Sequence, residues 1–281
     1  MSDGSLGRIV LETLGLAGLG LVVGAFGTLI GAGGGFLLVP ALLLLYPHDS
    51  PALITGMSLA VVFFNAGSGS FAYARMGRVD FKSGLMFAAA TIPGAVLGAM
   101  VTAQLDRRTF DLLFGVLMTA GSIYLFWRPV RTGSDGPAAR ISGHFHRHLV
   151  ERDGTAHEFG YNPVLGIGIS VVVGFVSSLL GIGGGIVHVP VLSQLLDFPV
   201  HIATATSHFT LSIMALAGSL VHLASGALSP GFARIAALAV GVMAGAQVGA
   251  RLSSRVHGVW IMRGLAIALG FVGLRILLGV L

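Results

Sequence analysis

The 281-residue sequence has no cysteine and few charged residues, which make up 10% of the chain. The absence of cysteine excludes disulfides, thiolate catalysis and cysteine-based metal sites. A soluble domain has about 25% charged residues, whereas here 54% of the residues are hydrophobic and the mean hydropathy is +0.91. The composition therefore predicts an integral membrane protein in contact with the lipid bilayer. The net charge of +5 does not indicate nucleic-acid binding, because the basic residues lie at the ends of apolar segments, where they set topology.

The apolar segments also lack carboxylates near their centres. All eleven Asp and Glu residues lie in loops or near segment ends, and the deepest are Glu12 and Asp111. Carriers of cations and protons usually place a carboxylate in the middle of a span. An anion requires hydroxyls, exposed backbone amides and the positive ends of short helices instead. The absence of carboxylates thus favours an anionic substrate.

A glycine-rich apolar phrase occurs twice, 150 residues apart. Residues 24–40 read GAFGTLIGAGGGFLLVP and residues 174–190 read GFVSSLLGIGGGIVHVP, so the chain is a duplication. Each copy interrupts an apolar segment, because glycine costs about 1 kcal/mol and proline about 3 kcal/mol in a helix interior. Broken helices inside a membrane are typical of transporter binding sites.

The apolar segments predict an all-α polytopic membrane protein with two repeats of about five helical segments each. The repeats occupy residues 1–128 and 163–281, and residues 129–162 form a polar loop or hairpin between them. Most segments approach the roughly 20 residues that cross hydrocarbon. The second segment of each repeat, near Phe36 to Tyr46 and near Ile186 to Leu196, is about half that length, which indicates a broken or re-entrant helix. Five crossings per repeat make the repeats inverted, whereas four make them parallel, and the sequence leaves that choice open.

Basic residues favour one side of the predicted membrane. The positive-inside rule places the side with more Lys and Arg in the cytoplasm, which puts the central loop inside and both termini outside. With five crossings per repeat, the residues on the cytoplasmic side are Arg75, Arg78, Lys82, Arg128, Arg131, Arg140, Arg147, Arg152, Arg251 and Arg255.

The central loop is rich in histidine. The sequences on either side of Asp153 and Gly154 suit a small hairpin with a type I′ turn. Alternation along a strand puts three of the histidines on one face, as a metal site would require, but no acidic or cysteine ligand lies between them. A solvated hairpin without metal is therefore the favoured interpretation. The histidines of the loop are His144, His146, His148 and His157.

A second repeated element follows each glycine phrase, at an offset of 149 residues. Helical spacing places Thr55, Ser58 and Asn65 on one face, and Thr204 and Ser207 on the matching face of the other half. Such hydroxyls either contact a substrate or bond to the preceding helical turn. Beside the amides of the glycine clusters, they favour a site for a small tetrahedral or pyramidal oxyanion. The glycines of that predicted site are Gly33, Gly34, Gly35, Gly183, Gly184 and Gly185.

Histidine makes the two halves unequal. An imidazole can gain a proton near neutral pH. One hypothesis is that His208, with His188 and His222 as further candidates, helps to hold the anion or couples its movement to protons. The alternative is that each is a neutral histidine bonded to a backbone carbonyl at a helix interface. At the positions that match these three histidines, the first half has Leu59, Leu38 and Tyr73.

These phrases resemble the sulfite exporter TauE/SafE family of membrane permeases over nearly the whole chain. The resemblance rests on GAGGGFLLVP, GIGGGIVHVP, ITGMS, ATATSHF and the polar mid-chain loop. It implies a secondary transporter of sulfite or small organosulfonates in the bacterial inner membrane, with no enzymatic activity, cofactor or bound metal. The first half has ITGMS where the family pattern has ATATS, which leaves open whether both halves contribute equally. The family motif positions are Gly33 to Gly35, Thr55, Ser58, Gly183 to Gly185, Thr206, Ser207 and His208.

These features predict a secondary transporter that moves a small sulfur oxyanion across the membrane by alternating access between its two repeats. The protein is expected to be a monomer or a homodimer. The main alternative is a divalent metal-ion permease that uses the membrane histidines, which the lack of carboxylates weakens. An intramembrane hydrolase would need a nucleophile and a base, but the adjacent Ser207 and His208 point about 100° apart on a helix. A sensor with the central loop as output domain is the third alternative, and roughly 35 residues are few for a signalling domain.

Overall fold

A computed structural model describes residues 3–127, 145–253, 255–256 and 258–280. It confirms the all-α polytopic membrane fold, with one small two-stranded sheet. A π-helical turn, Val191–Leu195, continues α7, and a short 3-10 turn, Ser229–Gly231, precedes α9. In chain order the elements are α1 (Asp3–Ile30), α2 (Gly35–Leu45), α3 (Pro51–Arg75), α4 (Phe81–Thr102), α5 (Arg107–Trp127), β1 (Phe145–Val150), β2 (Ala156–Tyr161), α6 (Pro163–Leu180), α7 (Gly185–Pro190), α8 (Val200–Ala224), α9 (Phe232–Ser253) and α10 (Gly258–Val280).

Seven helices in the described part of the chain are long and apolar enough to cross a membrane, namely α1, α3, α4, α5, α6, α8 and α9. Large apolar side chains point outward from them, and Leu97 and Val240 are 57% and 70% exposed. Exposed apolar surface of this extent marks contact with lipid or another apolar partner. The chain is thus a multi-pass membrane protein.

Each glycine cluster ends a long helix and starts a short one. In the first half, Gly31, Gly33 and Gly34 have φ values of +81°, +74° and +80°, in the left-handed region that glycine adopts without steric cost. The short α2 then runs back along α1. Its end lies beside α1, since the hydroxyl of Tyr46, directly after α2, donates a 2.8 Å hydrogen bond to the carboxylate of Glu12 in α1. The α1–α2 unit is therefore a re-entrant hairpin of helices.

The second half has the same break and the same return. Gly181, Gly183 and Gly184 have φ values of +69°, +80° and +74°. Phe198, which follows the π-helical turn, packs against Phe159 of β2 with the ring centroids 4.4 Å apart. Since β2 leads directly into α6, the short α7 returns to the face at which α6 begins. Both short helices are thus re-entrant, which the sequence alone did not decide.

Helices of the two halves interleave. The helix α1 packs along α9 and its counterpart α6 along α4, while α5 packs on α10. Small residues allow the backbones to approach: a Cβ atom added to Gly245 would lie 2.7 Å from the amide nitrogen of Ala25, and one added to Gly94 would lie 2.8 Å from that of Phe175. Close approach at small residues is how membrane helices associate without a hydrophobic driving force.

The central pair, α3 and α8, is antiparallel. A Cβ atom on Gly56, near the start of α3, would lie 2.9 Å from the Cβ atom of His222, near the end of α8. At the other end, a Cβ atom on Gly69 would lie 2.6 Å from Cδ2 of His208. The two glycine turns lie against this pair, which places the predicted site in the centre of the fold.

The polar loop contains the predicted hairpin, but its turn differs from the prediction. Phe145 pairs with Tyr161 at one end of the ladder and Val150 with Ala156 at the other. The predicted type I′ turn is wrong, because it requires positive φ at both central residues, and in this turn only Gly154 has a positive φ, of 92°. The amide of Gly154 donates to the carbonyl of Glu151 at 3.0 Å, and the amide of Glu151 donates to the carbonyl of Thr155 at 2.8 Å. This is the pattern of a turn closed by a G1 bulge. Residues 129–144 of the predicted loop, His144 included, lie outside the described residues.

Two ion pairs fasten the hairpin to the loop between α3 and α4. Arg147 binds both oxygens of Asp80, at 2.6 and 2.9 Å, and the Asp80 side chain is fully buried. The hydrogen bonds that Arg147 donates to the Asp80 carboxylate raise the pKa of Arg147, so this guanidinium stays charged. Arg78 pairs with Glu151 at 2.6 Å, and His157 lies 3.0 Å from the same carboxylate. We call the side of the protein that holds the hairpin, the end of α3 and the start of α4 the hairpin face.

Candidate functional site

The two glycine turns touch each other at the centre of the protein. A Cβ atom on Gly35 would lie 2.6 Å from the carbonyl oxygen of Gly181 and 2.7 Å from the backbone of Ile182. In the mirror contact, a Cβ atom on Gly185 would collide with the carbonyl oxygen of Gly31. The structure therefore brings the two predicted glycine clusters together, and only glycine allows their backbones to approach this closely.

Several backbone amides of the two turns are available as donors. In the first turn, the amides of Ala32 and Gly33 both donate to the carbonyl of Gly27, at 2.8 and 3.2 Å. The following amides open the 11-residue helix α2, where the helix dipole is positive. Such a terminus favours an anion. Within the described residues, the turn amides without a backbone acceptor are those of Gly34, Gly35, Gly183 and Gly184.

Two threonine hydroxyls lie against these turns without a partner. A Cβ atom on Gly181 would lie 3.0 Å from the methyl carbon of Thr55, and one on Gly31 would lie 2.6 Å from that of Thr204. Both threonines are at most 1% exposed, and the Oγ1 atom of each has no hydrogen bond among the described residues. A buried hydroxyl without a partner costs about 1–3 kcal/mol. Among the described residues, five further buried hydroxyl oxygens have no hydrogen-bond partner, those of Ser70, Thr119, Ser177, Ser178 and Ser207.

Two predicted site residues bond to protein atoms instead. The hydroxyl of Ser58 donates to the carbonyl of Gly181 at 2.6 Å, so Ser58 fixes the second turn. Thr206 accepts a 3.0 Å hydrogen bond from the backbone amide of Asp80, at the start of α4. Thr206 therefore faces the hairpin side of α8 and does not join the turns.

A chain of polar side chains fixes the first turn. Asn65 donates from Nδ2 to the carbonyl of Gly33 at 2.9 Å and accepts at Oδ1 from the hydroxyl of Thr28 at 3.1 Å. Nε2 of His208 lies 3.1 Å from that same hydroxyl, and Tyr73 donates to the Thr28 carbonyl at 2.7 Å. Asn65 thus acts on the turn backbone, and His208 belongs to the same cluster.

The corresponding place in the second half is largely apolar. By the offsets of 150 and 149 residues, Thr28 matches Ser178, Asn65 matches Met214, and His208 matches Leu59. The contacts agree with this matching, because a Cβ atom on Gly218 would lie 2.8 Å from Oγ of Ser178 and 2.9 Å from Cδ1 of Leu59. We call the group of Thr28, Asn65, Tyr73 and His208 the one-sided cluster. The sequence reasoning missed Thr28, although the hydroxyl at its position in both copies of the glycine phrase was the signal that marks it.

The remaining membrane histidines lie apart from one another. Nε2 of His188 is 3.4 Å from the hydroxyl of Ser170, and its ring meets Phe87 edge-on with centroids 5.7 Å apart. His222 packs against Gly56 near the opposite end of α8. Within the described ranges, no group of three His, Asp or Glu side chains converges as a metal site. No observation here supports the metal-permease alternative.

A polytopic fold with two re-entrant helices that meet at a buried centre of hydroxyls and amides is that of a membrane transporter. The chain belongs to the sulfite exporter TauE/SafE family, whose model matches residues 16–276. This is a family of transporters and not of enzymes.

Relatives from distant organisms are described as probable membrane transporters. A probable membrane transporter protein of Bacillus subtilis, YunE, is 32% identical over 269 residues, which cover 92% of this chain and 95% of the relative. A probable membrane transporter protein of Methanocaldococcus jannaschii is 26% identical over 274 residues, with 92% and 93% covered. No solved structure matches the chain significantly.

Proposed function

We propose that this protein is a secondary transporter of a small sulfur-containing oxyanion, sulfite or an organosulfonate, and that the anion binds where the two glycine turns meet. The observation that supports this most is the pair of unpartnered, fully buried hydroxyls of Thr55 and Thr204 beside free turn amides. A hydrogen bond to a charged acceptor contributes about 1.5–3 kcal/mol. Several such donors offset much of the cost of removing one small anion from water.

We infer that the two halves are inverted repeats and that transport proceeds by alternating access. The hairpins α1–α2 and α6–α7 each return to the side at which they begin, so three helices cross in each half, not four, and an odd number of crossings inverts the second half. The pairing of α1 with α9 and of α6 with α4, together with the antiparallel α3 and α8, supports this symmetry. The site residues Thr55, Thr204 and Ser207 are at most 1% exposed, so an anion reaches them only after one half moves against the other. Rocking of one repeat about a central site is the usual movement in such folds.

The proposed location is a bacterial inner membrane with the hairpin face in the cytoplasm. Arg75, Arg78, Arg147 and Arg152 all lie on that face, which agrees with the positive-inside rule. The two repeats, residues 1–128 and 163–281, would then work as a monomer or as one subunit of a homodimer, without a cofactor.

Loss of a site hydroxyl is expected to weaken anion binding. Thr204→Val and Thr55→Val keep the shape of the side chain and remove a donor, so the KM for sulfite should rise about 10-fold or more. The measurement is uptake of sulfite, methanesulfonate, sulfate and a divalent metal by the purified protein in liposomes. Thr91→Val is the matched control, because the Thr91 hydroxyl bonds within its own helix, to the carbonyl of Ala88 at 2.7 Å. Saturable uptake of the metal but of no oxyanion would contradict the proposal.

His208 is expected to set the pH dependence of transport. His208→Gln retains a hydrogen-bonding group beside Thr28 but does not titrate, so the change in transport rate between about pH 5 and pH 8 should flatten. Among the described residues, the side chains of Thr28 and Tyr73 contact His208, and neither titrates in that range. His148→Gln, on the exposed face of the hairpin, is the control. An unchanged pH profile in His208→Gln would remove His208 from proton coupling.

A further inference from the structure

A pocket at the hairpin face lies far from the glycine turns. It has a volume of about 540 Å³ and forms where the last turn of α3 meets the hairpin turn. Its lining residues are Ala74, Arg75, Gly77, Val150 and Arg152. Two arginine residues therefore line one concave surface.

The fold fixes both arginines beside this pocket. The backbone amide of Arg152 donates to the carbonyl of Met76 at 3.0 Å, and its guanidinium donates to the carbonyl of Arg75 at 3.3 Å. The guanidinium of Arg75 lies 4.7 Å from the centroid of the Phe71 ring. Because the ion pairs of the hairpin hold it on the α3–α4 loop, the two cations are positioned before any ligand binds.

Arg75 and Arg152 differ from the neighbouring arginines because no carboxylate in the described part of the chain is paired with them. Arg78 and Arg147 each have a carboxylate at 2.6 Å, from Glu151 and Asp80. Among the described residues, no carboxylate lies within ion-pair distance of Arg75 or Arg152. The exposed Asp153 in the same turn accepts from the Thr155 amide instead, and the hydrogen bonds from Thr155 lower the pKa of Asp153. Two like charges on one pocket repel each other unless an anion lies between them.

The pocket lies at the end of a membrane span, where hydrocarbon meets water. Arg75 is the last residue of an apolar span that begins at Pro51. Phe71, one turn before it, is 58% exposed, and Val150 on the other wall is 50% exposed. A ligand here has water on one side and acyl chains on the other.

We propose that this pocket is a binding site for an oxyanion group of the phosphate or sulfonate class, which Arg75 and Arg152 hold jointly. Arginine is suited to this role, because its planar fork binds such groups through two parallel hydrogen bonds. The group can belong to the headgroup of an anionic lipid or to a free anion. The site is separate from the transport site and does not depend on the proposed function.

The test compares the wild-type protein with Arg75→Gln, Arg152→Gln and the double variant. Lys82→Gln is the matched control, because it removes one positive charge from an exposed position on the same face that does not line the pocket. Thermal unfolding in detergent is followed while phosphatidylglycerol, phosphatidylcholine, inorganic phosphate or methanesulfonate is added. A stabilising ligand raises the Tm as its concentration exceeds its Kd.

The proposal requires that phosphatidylglycerol or a free anion raises the Tm of the wild-type protein and of Lys82→Gln. In each single variant the apparent Kd should rise about 10-fold, and in the double variant the shift with phosphatidylglycerol or phosphate should disappear. A methanesulfonate shift that the double variant retains is assigned to the proposed transport site. A shift with phosphatidylglycerol alone identifies the lipid headgroup, and a shift with phosphate or methanesulfonate identifies a free anion. The proposal is wrong if no anionic ligand shifts the wild-type Tm, or if Lys82→Gln loses as much of the shift as the arginine variants.

Discussion

Gly185→Ala is expected to reduce transport about 10²-fold. The new methyl group would collide with the carbonyl oxygen of Gly31 and lie 2.6 Å from Cα of Ala32, and both of these are backbone atoms of the opposite turn. Overpacking of this kind costs about 1–3 kcal/mol and moves the backbone. A displacement on the order of 1 Å in a functional site can reduce a rate about 10²-fold. We expect a loss of this size in sulfite uptake by proteoliposomes.

The control for this variant is Gly67→Ala. A Cβ atom on Gly67, in α3, meets no other atom within 4 Å. The same substitution there should leave both folding and transport close to the wild type. Size-exclusion chromatography of each variant separates loss of transport from loss of the fold. A Gly185→Ala protein that transports at the wild-type rate would contradict the assignment of the turns as the substrate site.

Arg147→Met is expected to destabilise the protein by about 3 kcal/mol. The substitution leaves the Asp80 carboxylate buried without its counter-charge, and breaking a buried pair costs about 3–5 kcal/mol. The lower end applies because the Arg147 side chain is 19% exposed and water can partly replace it. Thermal or chemical unfolding in detergent measures the loss.

Two further variants separate the ion pair from other effects of the substitution. Asp80→Asn removes the unpaired charge but keeps an oxygen that can accept from Ser83, so the double variant Arg147→Met/Asp80→Asn should recover part of the stability. Glu158→Gln removes one partner of the exposed contact between His148 and Glu158, whose atoms are 4.0 Å apart, and should cost less than about 1 kcal/mol. If the double variant is no more stable than Arg147→Met, the charge of Asp80 is not the cause.

The sequence predicted the class of fold and the two breaks in the helices because both follow from local chemistry. Apolar length marks the spans, and glycine and proline mark the breaks at the two repeated phrases. Whether α2 continues across the membrane or returns depends on a tertiary contact, that of Tyr46 with Glu12, which no local pattern contains. The turn of the hairpin was mispredicted for a similar reason, since Asp153 next to Gly154 suits more than one turn type.

Helical geometry explains which predicted side chains reach the turns. Thr204 and Ser207 are three residues apart and share a face of α8, whereas Thr206 lies two residues from Thr204 and points away, toward Asp80. The family pattern ATATS includes residues on both faces of α8 and does not show which of them face the turns. Asn65 was correctly placed near the glycine cluster, but its role in holding the Gly33 carbonyl depends on Thr28, a residue of another helix.

The one-sided cluster has a consequence for the resting orientation of the proposed carrier. A carrier with two equivalent halves would have inward-open and outward-open states of equal free energy, because each state would be the other viewed from the opposite side. Asn65 and His208 match the apolar Met214 and Leu59 of the other half, so the two states of the proposed carrier are not equal in free energy. If three hydrogen bonds of this cluster, each contributing about 1 kcal/mol, break in only one of the two states, the populations differ about 10²-fold. In the proposed alternating-access mechanism, the unequal halves would thus give the empty carrier a preferred resting orientation.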